Sequence, residues 1–277
     1  MATRPLAFPR SWRWIPAELI VRQGTLALYG MALLALSAVA LTLQVVDPRL
    51  LDSGISVWVK PAKFFSSVGI FALTAAWFFG YIRPERRRSR PMRATVAMLI
   101  FAGTFELLWI CWQAAHGLES HFNTGTPFYT MMYALMGIFA ALLVGTTLPL
   151  AWEIACRPAK GLRPDLVVAV VVGLLLTFLL GGILGGYMSS QSGHSVGLEG
   201  DRTLLFGWNR SGGDLRIAHF FGIHAEQAIP ILAGLTVEAG LGQRVRWVVL
   251  IGGAGLYAGL TLAIFAQAVA GHALFPM

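Results

Sequence analysis

The chain has 277 residues, of which 56% are hydrophobic and only 12% charged, so it carries more apolar surface than a soluble core of this size can hide, and an ordinary water-soluble domain is excluded. Its formal charge of +8 would suit nucleic acid, but the basic residues gather at the ends of apolar runs, so the expected partner is a lipid bilayer and not a nucleic acid. Cys111 and Cys156 fall at opposite ends of neighbouring runs, too far apart for a disulfide, and no cysteine spacing for zinc, iron–sulfur or covalent haem occurs.

Residues 1–23 carry Arg4, Arg10, Arg13 and Arg22 with Trp12 and Trp14, which reads as a basic, aromatic segment at the cytoplasmic interface. Ala38-Val39-Ala40 has the form of a signal-peptidase site, but the apolar run continues to Val46, so an uncleaved first span is expected. Residues 24–277 read as one domain with seven apolar runs near 24–46, 61–82, 94–115, 128–151, 165–187, 217–238 and 247–270. At 1.5 Å of rise per residue, about 20 residues cross a hydrocarbon core of ~30 Å. The expected fold is all-α, a polytopic bundle of seven transmembrane helices.

Of the 21 Lys and Arg, 15 fall in one alternating set of connections: residues 4–22, 83–93, 157–163 and 244–246. That set is expected to be cytoplasmic, which puts the N-terminus inside and the C-terminus outside. The outer connections are then 47–60, 116–127 and 188–216. The last is long and glycine-rich, a length that usually carries function or is disordered.

Unusual polar residues fall on the outer half of this topology. Lys60, Lys63, Ser67 and Thr74 form a stripe from the start of the second span. Glu106, Trp109, Gln113 and His116 share one face of the third, and His121 and Asn123 follow in the loop. Asp214 and Arg216 lead into the sixth span, where His219 and Glu226 share one face and His224 and Gln227 another. Glu106, His224 and Glu226 lie roughly 10–14 Å below the outer end by helical rise. All six histidines are on the outer half. Pro230 is a candidate break in the sixth span.

Each group also has a plain structural role. Lys60 and Lys63 can snorkel to headgroups, a membrane His can serve as an interhelical hydrogen-bond group, and Asp214 with Arg216 can be a loop ion pair or helix cap. Glu106 is harder to account for, because a carboxyl near mid-membrane needs a partner or a proton; Lys63 and His224 are the expected candidates.

The motifs Trp58-Val59-Lys60-Pro61-Ala62-Lys63-Phe64, Ser120-His121-Phe122-Asn123 and Gly213–His224 resemble those of a family of bacterial multi-pass inner-membrane proteins to which no activity is assigned. The resemblance runs from the second span to the sixth. It implies a bacterial cytoplasmic membrane and marks the three outer motifs as signatures. His116 stands where that family usually has Arg, which lowers its claim as a ligand.

The leading expectation is a membrane-embedded enzyme or redox protein with an outward-facing polar pocket. Its expected catalytic groups are His219, His224, Glu106, Glu226 and Lys63. Lys60, Gln113, Asn123, Asp214, Arg216 and Gln227 are expected to bind a small-molecule or lipid ligand from the outer side. His121, His219 and His224 are candidate ligands for haem or a divalent metal, with the Glu106–His121 side of the third helix as the expected partner of His219. The alternatives are a proton-coupled small-molecule transporter and a non-catalytic structural or assembly subunit. A homo-oligomer is left open.

Overall fold

A computed structural model describes residues 15–51, 54–203 and 206–276, most of them helical. Among the described residues, six helices are long and apolar enough to cross a membrane: Ile15–Val46, Val59–Tyr81, Arg90–Ala115, Pro127–Cys156, Pro164–Ser189 and Gln243–Val269. A bent pair, Leu215–Ile223 and Ala225–Glu238, makes seven if it is taken as one span. Residues 1–14 of the expected basic segment lie outside the described residues.

The chain divides into two compact units, Met1–Glu153 with Arg157–Gly161, and Ile154–Cys156 with Leu162–Met277. The first contains α1 (Ile15–Val46), α2 (Val59–Phe78), which ends in a 3₁₀ turn (Phe79–Tyr81), α3 (Arg90–Ala115), α4 (Pro127–Gly145) and most of α5 (Thr147–Cys156). The second contains α6 (Pro164–Leu176), a π-helical turn (Thr177–Gly181), α7 (Gly182–Ser189), strands β1 (Ser195–Val196) and β2 (Gly213–Asp214), α8 (Leu215–Ile223), α9 (Ala225–Glu238) and α10 (Gln243–Val269).

In the first unit α1 kinks at Gln23, whose backbone is extended and whose Oε1 accepts from the Leu26 amide at 3.0 Å. Its side chain thus restarts the helix after the basic residue Arg22. Arg22 is buried: its guanidinium lies 3.7 Å over the Trp77 ring and donates to the Trp77 carbonyl at 2.8 Å. Helices α1 and α2 meet at Gly30 and Gly69; a Cβ on Gly30 would stand 2.9 Å from the Gly69 carbonyl oxygen. Small residues let helix backbones close up where lipid provides no hydrophobic push.

The arginine run after α2 caps helix ends. Arg87 donates to the Ile82 and Gly80 carbonyls and Arg83 to Pro158, where the C-terminal dipole favours cations. Arg86 and Arg157 both bind the buried Glu153, at 2.8 and 3.0 Å. The second unit repeats the device at its own basic end, where the buried Asp165 receives Arg163 at 2.9 Å and Arg246 at 2.7 Å. Two cations per carboxylate offset the desolvation that burial imposes.

The 188–216 connection holds structure of its own. Strands β1 and β2 pair antiparallel, Arg202 bridges to Asn209, and Trp208 stacks on Phe275 at 6.0 Å. Gly213 abuts the Ala268 backbone too closely to admit any side chain, which seats this segment on the end of α10.

Candidate functional site

The polar residues singled out in the sequence form one group in each unit. In the second unit the group is built on a broken helix. Helices α8 and α9 meet at 54°, and His224 at the junction has φ −97°, ψ 6°, outside the helical region. The break lies at His224 and not at Pro230, which sits within α9. It also overturns the straight-helix phasing of His219 with Glu226, because the chain turns between them.

A break in a span frees backbone groups that lipid cannot satisfy. Here the neighbouring helix supplies partners. The Thr177 hydroxyl accepts from the Glu226 amide at 2.9 Å and donates to the Ile223 carbonyl at 3.5 Å. The Tyr257 hydroxyl donates to the Phe221 carbonyl at 2.6 Å. Thr177 opens the π-helical turn, and glycines bring the backbones together: a Cβ on Gly173 would stand 3.0 Å from Glu226 Cα, and one on Gly181 2.9 Å from the Ile223 side chain.

The side chains at the break form a polar chain. His224 Nδ1 pairs with Gln227 Oε1 at 3.1 Å, and Gln227 Nε2 donates to Glu226 Oε1 at 2.9 Å. Glu226 is 1% exposed and lies in the first turn of α9, where the helix dipole favours a negative charge. Above it runs an aromatic column: Phe206 stacks on Trp208 at 4.5 Å, Trp208 meets Phe220 at 5.8 Å, and Phe220 meets His224 at 4.4 Å.

The His219 ring packs against Gly185, where a Cβ would stand 2.7 Å from Cε1 and 3.0 Å from Nδ1, and Nδ1 is buried with no hydrogen-bond partner among the described residues. Asp214, 1% exposed, caps α8: it accepts the Arg216 amide at 3.0 Å and the Arg216 guanidinium at 2.5 and 2.8 Å, while the Asn209 amide donates to it at 2.8 Å. Burial pushes the Asp214 carboxyl up, but the Arg216 hydrogen bonds and charge, the Asn209 amide and the His194 charge together hold it below the usual carboxylate value. Asp214 and Arg216 therefore form the structural cap and ion pair that the sequence also allowed.

In the first unit, Glu106 (2% exposed) and Gln113 (1% exposed) lie on the buried face of α3. Glu106 Oε1 and Gln113 Oε1 have no hydrogen-bond partner among the described residues. Gln113 Nε2 donates to the Glu119 carbonyl at 3.1 Å, and the indole of Trp109, between them on the helix, donates to the Ser120 carbonyl at 3.1 Å. His121 is half-buried against Phe64 at 5.7 Å and Tyr133 at 6.1 Å, with its Nδ1 3.1 Å from the Ser120 hydroxyl. The charge of the half-buried Lys60 acts on both Glu106 and His121. Burial and the Lys60 charge hold the His121 imidazole well below its ordinary value, against a Ser120 backbone hydrogen bond.

Lys63 is exposed, His116 is exposed with its ring 4.5 Å from Trp112, and Asn123 donates to the Glu119 carbonyl at 3.2 Å. Phe122, beside His121, has φ +57°, a backbone strain its ring contact with Tyr133 at 5.3 Å helps to hold. Among the described residues, no three His, Cys, Asp or Glu side chains gather closely enough to hold a metal ion, and the candidate set His121, His219 and His224 is divided between the units.

Two residues at these sites carry no signal as isolated letters: Thr177 and Tyr257 in the second unit. A threonine or tyrosine in an apolar run becomes informative only when its neighbour across the helix seam is known. Comparison with protein-family models, curated proteins and solved structures finds no match for this chain.

Proposed function

We propose that this chain is a proton-coupled transporter of a small molecule in the bacterial cytoplasmic membrane. It spans the membrane seven times, with α8 and α9 together forming one broken span, its N-terminus cytoplasmic and its C-terminus outside. The observation that carries this reading is the break at His224. Broken spans held together by a neighbouring helix recur where transporters bind substrate and coupling ions. At this break a buried carboxyl, an amide and an imidazole stand in one hydrogen-bonded chain. Ionisable groups at such depth mark ion or proton paths. Glu226 takes and gives up the proton, Gln227 fixes its orientation, and His224 passes the proton toward the outer side. An enzyme or redox protein would use the same residues, but its chemistry would not require the span to be broken.

The test is reconstitution of the full chain in liposomes loaded with a pH-sensitive dye, challenged with a panel of amino acids, sugars and organic cations. The expected result is a proton flux evoked by one class of compound and abolished by Glu226→Gln. A substrate-evoked flux that survives Glu226→Gln overturns the assignment of Glu226, and substrate accumulation indifferent to the pH gradient overturns proton coupling.

A further inference from the structure

The first unit carries a second set of unusual groups, and they differ in kind from those at the helix break. Glu106 and Gln113 are both almost fully buried on α3, and each has one acceptor oxygen without a donor. They are seven residues apart, so they fall in line on one helix face, separated by about 10.5 Å of rise less the reach of two flexible side chains. Buried acceptors are nearly always paired, because leaving one unpaired costs about 1–3 kcal/mol. A proton on Glu106 would leave the Gln113 oxygen as it is. Both atoms call for a donor that none of the described residues supplies.

The surroundings narrow the chemistry of that donor. Two hydrophobic clusters flank the line: Leu33, Val68 and Leu107 on one side, and Trp109, Ile110 and Met136 on the other. Phe64 of α2 packs in both, and Tyr129, Phe105 and Met132 complete the second. Above the line stand His121 and Tyr133. The wall is therefore aromatic and apolar. The charge of Lys60 already acts on Glu106, which disfavours a cationic ligand. Access from the bilayer is cheap on one side, because Met136 is the only buried residue of α4 among those described.

We infer that the seam of α3 with α2 and α4 binds a lipid-soluble aromatic diol of the hydroquinone type, whose two hydroxyls donate to Glu106 Oε1 and Gln113 Oε1. The ring lies along Trp109 and Phe64, and an apolar tail leaves between α3 and α4. No electron transfer is involved. The inference rests on different residues, in a different unit, from the transport reading, so either can fail alone.

A hydroquinone and its quinone share shape and apolar area, but only the reduced form has O–H donors. The experiment measures binding of decylhydroquinone and of decylbenzoquinone to the full-length protein in nanodiscs, by quenching of tryptophan fluorescence and by calorimetry. The expected result is tighter binding of the reduced form by at least about tenfold, since two hydrogen bonds distinguish the pair. Glu106→Leu and Gln113→Leu should each shrink that ratio and the double variant should bring it to about one, while Glu106→Gln, which keeps an acceptor oxygen, should retain part of it. Equal affinity for the two forms overturns the inference, as does no binding of either, or a preference that survives in the double variant. The wild-type ratio is decisive by itself should a variant fail to fold.

Discussion

The Thr177 hydroxyl accepts the Glu226 amide at 2.9 Å, across the seam between the π-helical turn and the bent α8–α9 pair. One side chain thus holds the second residue of α9, and through the Ile223 carbonyl it also holds the residue that ends α8. Thr177→Val keeps the shape and removes both bonds. It should lower stability by about 1–2 kcal/mol, with Thr177→Ser close to wild type. Thermal unfolding in detergent, followed by fluorescence-detected size exclusion, checks this. A valine variant as stable as wild type would mean that the break is held by packing alone.

Acidification should destabilise the protein in two separate windows. The His121 ring is held below its ordinary value, so the fold favours its neutral form. That contribution is complete above the unfolded value of about 6.5 and is lost as pH falls below it. Asp214 is also held below its ordinary value, so its contribution is present above about pH 4 and is lost as pH falls through the folded value. The melting midpoint, measured from pH 8 to 3, should fall in two stages. His121→Gln should remove the upper stage, and Asp214→Asn should shrink the lower one, to which the clamped Glu153 and Asp165 also contribute, at a cost of about 3 kcal/mol near neutrality, because it leaves Arg216 without its carboxylate partner. A midpoint constant from pH 8 to 5 in the wild type would contradict the account of His121.

Two exposed positions should react differently with a membrane-impermeant maleimide. Cys156 is exposed and lies three residues beyond Glu153, the carboxylate clamped by Arg86 and Arg157. In intact cells it should resist labelling until the membrane is permeabilised. A cysteine placed at the exposed Ser192, in the glycine-rich connection, should label at once. The reverse pattern would invert the orientation.

Much of this arrangement could be read from the chain before any coordinates. Span ends near Val46, Ala115 and Glu238 follow from hydropathy and length, because a bilayer asks only for about 20 apolar residues and marks their ends with charge. Glu106, Gln113, His224 and Glu226 stood out for the same reason, as polar groups where lipid tolerates few. The position of the break was not legible. Pro230 is the residue that local rules pick out, yet the helix turns at His224, because Thr177 and Tyr257 satisfy the freed groups there. The role of Asp214 was only half visible, since an Asp two residues before an Arg allows a cap, an ion pair or a ligand, and the Asn209 contact favours the cap.

The sequence by itself determined that the chain is mostly helical, with several helices long and apolar enough to cross a membrane, and which polar residues interrupt its apolar runs. These are one-dimensional properties, set by composition and by the thickness of the solvent. Only the tertiary structure decided which of those residues meet. It joined His224 to Gln227 and Glu226, set His219 against Gly185, and left Glu106 and Gln113 each with an oxygen that no described residue reaches. Hydrogen bonds form over about 3 Å, and such proximity between helices depends on packing across a seam that no local pattern encodes.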